Sequence, residues 1–329
     1  MKPICHQRGR MRVRVLAGVA VLLAVMPITN STRATGLPPH RGTLFVMAAA
    51  DSGGLGESGP VLRYDVRGPT SQPTLDATID DPSFFRPCCF AFTRSGEMLV
   101  VNRGDPTTPS SGYITRILHP SRTPVPNGAI AFREFSVPHW AAFHDGELFV
   151  AQLGASNVLR MTFDRRGIAS PNGEVVDGLC CNAPRGVAFS QTGELFVTQC
   201  CGVDVIDRFV LDASGEATPN GTISGGLRNP QDLAFSTSGE LFVANADANS
   251  ISRFTFDGAG NAVPNGQITG PALSGPSGLD FSPWGELFVG NAFAPGGVSR
   301  WTFDRAGVAT LNGTFTTPSN VVIDVQFGG

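Results

Sequence analysis

Residues 230–257 read PQDLAFSTSGELFVANADANSISRFTFD. Pro230 opens a short apolar segment that ends at Phe235. Ser236-Thr237-Ser238-Gly239 has turn composition. Glu240 to Asn245 is a second apolar run, and Ile251 to Asp257 alternates apolar and polar residues with a period of two. Past an Asp257-x-x-Gly260 turn, Pro264-Asn265-Gly266 leads into a fourth segment, Gln267 to Gly270. Period-two alternation bounded by Gly, Ser and Asp predicts four short antiparallel strands.

The same grammar recurs along the chain. Gly-Glu-Leu-Phe-Val stands at 146–150, 193–197, 239–243 and 285–289, with weaker copies at 96–100 and 42–46. The Leu or Met of these copies falls at 44, 98, 148, 195, 241 and 287, a spacing of 46 to 54 residues. Six units of four strands predict an all-β, six-bladed propeller of four-stranded antiparallel blades. The first unit begins at its second strand. Residues 318–327, from Pro318, are expected to supply the missing first strand and close the ring, leaving no free sheet edge. The expected blades are 42–80 with 318–327, then 87–136, 138–178, 184–226, 230–271 and 276–316. The whole propeller spans 42–329, after a linker at 35–41.

Pro230-x-x-Leu-Ala-Phe, Gly-Glu-Leu-Phe-Val-Ala-Asn and Ser250-Ile-Ser-Arg-Phe resemble the repeats of NHL propellers. They are also similar to the senescence-marker/gluconolactonase group and the streptogramin lyases. That resemblance implies a closed ring with a site at the channel mouth and, for the lactonase group, one divalent cation (calcium) held by a Glu, amides and an Asp. No Glu of an early blade stands at a mouth position here. Glu57, in the long loop from Asp51 to Pro60, comes nearest, so the carry-over is incomplete.

Residues 1–34 read as a signal peptide. Lys2, Arg8, Arg10, Arg12 and Arg14 precede a 12-residue apolar run, Val15 to Met26, and Thr32-Arg33-Ala34 offers a cleavage site. The run is too short to span a bilayer comfortably, so a secreted or periplasmic location and no stable membrane span are expected. Losing this segment removes six of the 24 basic residues and none of the 27 acidic ones, which leaves a net charge near −9. A chain that acidic disfavours nucleic acid as a partner.

In a four-stranded meander, the loops before strand one and between strands two and three share the mouth face. The two residues after each opening Pro are then expected to line the mouth: Cys88-Cys89, His139-Trp140, Arg185-Gly186, Gln231-Asp232, Ser277-Gly278 and, for the first blade, Ser319-Asn320. They differ from blade to blade, which fits a ligand site and equally fits relaxed drift in a water-filled mouth. His139 is the candidate acid/base. Asp280 breaks a row that otherwise reads Ala91, Ala142, Ala188, Ala234 and Val322, and joins Asp232 as a candidate catalytic carboxylate. Trp140, Arg185, Gln231 and Asn320 are candidate ligand contacts. Asp232, Asp280 and Asn320 form a candidate cation set. The strand-ending amides Asn102, Gln152, Gln199, Asn245 and Asn291 read first as loop caps.

Six Cys remain past the signal, all in adjacent pairs: Cys88-Cys89, Cys180-Cys181 and Cys200-Cys201. An even count in an exported chain reads as disulfides. Cys180-Cys181 and Cys200-Cys201 can bridge each other, while Cys88-Cys89 has only itself. The sequence leads to a propeller binding a small molecule or a protein at its mouth. A cation-dependent lactonase or lyase acting on a cyclic ester, and a structural envelope protein, are the alternatives.

Overall fold

The computed structural model describes residues 41–49, 59–105, 107–108, 110–175, 179, 183–200 and 202–328. The signal segment, Glu57, Cys180, Cys181 and Cys201 lie outside the described residues.

Among the described residues, twenty-four strands form six four-stranded sheets. The first sheet joins β1 (Gly42–Ala48), β2 (Val61–Val66) and β3 (Thr74–Ile79) to the C-terminal strand β24 (Val322–Gly328), in the order β24-β1-β2-β3. The second holds β4 (Pro87–Phe92), β5 (Met98–Asn102), β6 (Tyr113–Leu118) and β7 (Val125–Ile130). The third holds β8 (Pro138–His144), β9 (Glu147–Gln152), β10 (Asn157–Phe163) and β11 (Ala169–Val175). The fourth runs through β12 (Pro184–Phe189), β13 (Leu195–Gln199), β14 (Val205–Leu211) and β15 (Ala217–Ile223). The fifth is β16 (Pro230–Phe235), β17 (Leu241–Asn245), β18 (Ser250–Phe256) and β19 (Ala262–Thr269), and the sixth β20 (Pro276–Phe281), β21 (Leu287–Asn291), β22 (Gly297–Phe303) and β23 (Ala309–Phe315). Every ladder is antiparallel, and the chain is a six-bladed propeller. Among the described residues no helix is long and apolar enough to cross a membrane.

The burial of each strand explains its composition. The second strands lie between neighbouring blades and are buried on both faces, so they read as unbroken apolar runs rather than alternating ones. The fourth strands are the outer edges and mostly exposed, which tolerates Pro264 without a lost ladder bond. Gly266, at φ +83°, sits where that outer strand bulges against β18.

The repeated Glu, Arg and Asn form one device. Glu240 of the Gly-Glu-Leu turn accepts from Arg253 of β18 (2.8 Å) and from Asn265 of Pro-Asn-Gly (2.6 Å). Arg253 lies over the ring of Phe242 and donates to Gly307 O in the next blade at 2.7 Å. Glu97–Arg116, Glu147–Arg160, Glu194–Arg208 and Glu286–Arg300 repeat the pair. Each of these repeated carboxylates is therefore occupied by a guanidinium, and the far face is held blade to blade.

Ring closure differs from expectation in register. Val46 pairs with Val325, as Val289 pairs with Leu279 and Val243 with Leu233. The strand equivalent to Pro276–Phe281 thus begins at Val322, four residues beyond Pro318. The intervening residues make a turn instead: Asn320 adopts φ 56° and its N–H donates to Thr317 O. The mouth pair of the first blade is Ile323-Asp324 rather than Ser319-Asn320, and Gln326 rather than Val322 shares the row of Asp280.

Candidate functional site

Each inner strand bulges just after its opening residue. The bulged residue is re-aimed out of the ladder, and this is how Cys88, His139, Arg185 and Gln231 come to the mouth. Arg103 Nη2 donates to His139 Nε2 at 2.8 Å, and Arg185 Nη1 faces the same nitrogen at 3.4 Å. Arg185 Nη1 also donates to Gln231 Oε1 (2.7 Å), and Arg185 Nε to Cys200 Sγ (2.7 Å). Gln231 Nε2 donates to Asn229 O and Oδ1. The Cys88 thiol donates to His139 O at 2.9 Å. Trp140 stacks beside His139, ring centroids 5.7 Å apart.

The electrostatics of this arc follow from burial beside two cations. Burial, then the charges of Arg103 and Arg185, hold the His139 imidazole well below its ordinary pKa, so it is neutral. Two guanidinium donors at Nε2 make that atom the acceptor and place the proton on Nδ1, which has no hydrogen-bond partner. The lone pair a general base needs is occupied. Burial pushes the Cys88 thiol up, but its hydrogen bond with Cys89 and the charge and hydrogen bond of Arg103 outweigh this and bring it to about 7. Burial and the neighbouring Cys88 push Cys89 the opposite way. Cys88 and Cys89 are free thiols, so the expected staple is absent at this pair. Adjacent Cα atoms stand about 3.8 Å apart, below the usual disulfide range of about 4.4–6.8 Å.

Arg103 differs from the blade arginines. It is 7% exposed, its Nε has no partner, and no ion pair involves it among the described residues. Sequence reasoning passed over it. The signal was available: after the strand-ending amides stand Arg103, Leu153, Cys200, Ala246 and Ala292, a single charge among small and apolar residues.

The candidate carboxylates lie one layer further in and serve differently. Asp232 Oδ2 accepts from Leu279 N (3.0 Å), Asp280 Oδ2 from Phe327 N (2.8 Å), and Asp324 Oδ2 from Phe90 N (3.1 Å). Each carboxyl stitches its inner strand to that of the next blade. The Cys88 thiol, donating to His139 O, does the same between blades two and three, and the Thr198 hydroxyl of β13, donating to Gln231 O, ties blade four to the inner strand of blade five. Burial pushes Asp232 up to about 8 and Asp280 up to about 6. Asp324 rises well above the carboxylate range through burial and the charges of Asp232 and Asp280. Asn320 is exposed on its turn and takes no part in this layer. Among the described residues no group of three His, Cys, Asp or Glu is placed to hold a metal. Asp232 and Asp280 line one cavity and Asn320 is not in its lining, so these three are not brought together there.

Four of the five strand-ending amides cap loops, as their position suggested, while Gln199 has no hydrogen-bond partner among the described residues. Asn102 Oδ1 accepts from Phe85 N, Gln152 Oε1 from Ser136 N, Asn245 Oδ1 from Arg228 N and Asn291 Oδ1 from Ser274 N, at 2.7–2.9 Å.

The raised carboxyls have a pH signature. A folded pKa above the unfolded 3.8 means that the folded chain holds more protons between about pH 4 and 8, so this contribution to stability is lost as pH rises through that window. Asp232→Asn keeps an oxygen for Leu279 N–H and cannot ionise. Relative to wild type, its urea stability is expected to improve by roughly 1–3 kcal/mol from pH 6 to pH 8. A difference independent of pH would show that Asp232 is not held protonated.

No protein-family profile matches the sequence, and no curated protein matches it. Solved structures do match the fold. The periplasmic gluconolactonase of Pseudomonas aeruginosa aligns with a TM-score of 0.64 at 15% identity, covering 88% of this chain and 99% of that one. A protein from Lactobacillus plantarum gives 0.60 at 15%, over 84% and 83%. Catalytically inactive virginiamycin B lyase from Staphylococcus aureus, with quinupristin, gives 0.52 at 16%, over 72% and 73%. The resemblance read from the repeats holds at the level of the fold.

Proposed function

We propose that this chain is an extracytoplasmic propeller whose mouth binds a small anion, a hydroxycarboxylate or a phosphate ester. Arg103 carries the reading. Among the described residues this buried guanidinium has no carboxylate partner, which is costly, and a second guanidinium, Arg185, converges on the same neutral imidazole. Two positive groups on an otherwise acidic chain, with Gln231 and the Cys88 thiol beside them, suit a bidentate oxyanion. The basic-then-apolar segment at 1–34 supports the location.

Thermal melts with D-gluconate, 6-phosphogluconate and inorganic phosphate test this. A ligand at about 100 times its Kd stabilises by about 2.7 kcal/mol, and Arg103→Gln is expected to weaken that ligand at least tenfold. Stabilisation by neutral sugars but by none of these anions would remove the proposal.

The likeness to a gluconolactonase and a lyase favours a second reading, turnover of a cyclic ester. The occupied Nε2 of His139 speaks against it. Hydrolysis of glucono-1,5-lactone that is lost in His139→Gln would reverse that judgement.

A further inference from the structure

The blade arginines are not equivalent on the far face. Arg116, Arg160 and Arg253 pair with the Glu of their own blade and reach on to a backbone carbonyl of the next. Arg116 Nη1 donates to Gly167 O (2.8 Å), Arg160 Nη2 to Ser214 O (3.5 Å) and Arg253 Nη1 to Gly307 O (2.7 Å). Arg300 reaches Ser71 O, Gly68 O and Pro69 O. Arg208 departs from them. Its Nη2 takes both oxygens of Glu194, at 2.8 and 2.9 Å, and among the described residues it has no other hydrogen-bond acceptor. Its Nε is buried without a partner, and its side chain is 8% exposed. Gly260 holds the place of Gly167 and Gly307 in the repeat, but Arg208 makes no bond to its carbonyl. Gln191 Nε2, donating to Ser236 O (3.4 Å) and Thr237 O (2.9 Å), ties blades four and five together instead.

A groove of about 270 Å³ lies where that bond is missing. Arg208 lines it with Phe196, Phe235, Phe256, Gly239 and Gly260. The three rings meet edge to face or tilted, with centroids 5.0–6.3 Å apart, and the guanidinium lies over Phe196 and Phe256. The seam between blades five and six carries the equivalent groove, of about 290 Å³, around Phe242, Phe281, Phe303 and Arg253. There Gly307 O satisfies the guanidinium. The two grooves share their rings and differ in whether the arginine has an acceptor beyond its own Glu.

We infer that the groove between blades four and five binds a small neutral carbonyl compound, an amide carried on an aromatic ring, with its oxygen accepting from Arg208 and its ring among the three phenylalanines. Idle N–H donors on a buried guanidinium are costly. Charge decides the class of acceptor. Glu194 already neutralises Arg208, so an anion would meet that carboxylate, whereas the carbonyls that satisfy Arg116 and Arg253 carry no charge. The ring faces and edges suit an aromatic body. The volume falls just below the usual range of about 300–1,000 Å³ for small-molecule sites, which limits the occupant to one ring with a short substituent. This site lies on the far face, apart from the mouth, and does not rest on the anion reading.

Chemical-shift titration of the full chain with N-methylbenzamide, benzoate and N-methylacetamide tests the inference. The aromatic amide is expected to bind at least tenfold tighter than either of the others. It is expected to shift the backbone amides of Phe196, Phe235 and Phe256 and to leave those of Phe242, Phe281 and Phe303 in place. Arg208→Met is expected to weaken it at least tenfold. Because that substitution strands Glu194 and endangers the fold, Thr192→Trp supplies a second variant. Thr192 is exposed on the rim of the groove, and an indole there fills the space with Arg208 and Glu194 unaltered. It is expected to abolish binding while the protein stays folded by its thermal melt. Arg103→Gln is expected to leave the amide affinity unchanged, so failure here and failure at the mouth are distinguishable. Benzoate binding as tightly as the amide, no amide binding to folded wild type, equal shifts in the groove around Arg253, or unchanged affinity in Thr192→Trp or in folded Arg208→Met would each overturn it.

Discussion

A chain ending at Thr317 is expected not to fold. The missing residues include all of β24, which pairs with β1 from Thr43 to Ala48. Val322 and Val325 are fully buried and Ile323 nearly so, each contributing roughly 1.5–3 kcal/mol by burial. Two stitches between inner strands also go, Asp324 to Phe90 N and Asp280 to Phe327 N. What remains is five complete sheets and a fragment with Leu44, Phe45 and Val46 on an open edge, a template for aggregation. These losses together are comparable with the whole of the 5–15 kcal/mol by which a domain is ordinarily stable. The check is soluble yield, gel filtration and circular dichroism beside the intact chain. A monomeric truncated protein that unfolds cooperatively at the same urea midpoint would contradict a ring closed by its C-terminal strand.

Arg300→Met is expected to be the most damaging of the equivalent substitutions in the blade arginines. Arg300 and Glu286 are each 1% exposed and 2.9 Å apart, whereas Arg253 and Glu240 are 10% and 14% exposed. Removing one partner of a buried pair leaves an uncompensated charge and costs about 3–5 kcal/mol. Arg300 also donates to Ser71 O, Gly68 O and Pro69 O of the first blade, across the seam that β24 closes. Arg253→Met, with a partner closer to solvent, is expected to cost about half as much. Urea unfolding of the two variants ranks them. A smaller loss in Arg300→Met than in Arg253→Met would mean that burial does not set the value of this device.

How legible each feature was depends on whether repetition exposed it. The blades were readable because six copies of one grammar show which positions are structural. Glu240, Arg253 and Asn265 recur together, and the fold gives them one shared task. The amide caps were legible for the same reason. The first blade's inner strand was misplaced by four residues because Pro318 imitates an opening proline while making a turn, and the β1–β24 register, a contact between the chain ends, decides the matter. Asp324 was missed through that slip. Arg103 was visible as an oddity at a repeat position, but its meaning needs His139 and Arg185, which come from other blades. Asp280 was found as an exception in its row and Asp232 as a member of a mouth pair, while their backbone partners on adjacent inner strands are invisible in one dimension. Cys88 and Cys89 were read as a staple from an even cysteine count. Their geometry, with Cys88 turned to the His139 carbonyl, makes them thiols.

The proposed oxyanion site at the mouth is built from two guanidiniums around a neutral imidazole. A crystal structure of the protein grown in saturating D-gluconate tests it most directly. The carboxylate is predicted to lie within hydrogen-bond distance of both Arg103 and Arg185, beside Gln231. A mouth holding only water at that concentration, or gluconate bound elsewhere on the propeller, would contradict it.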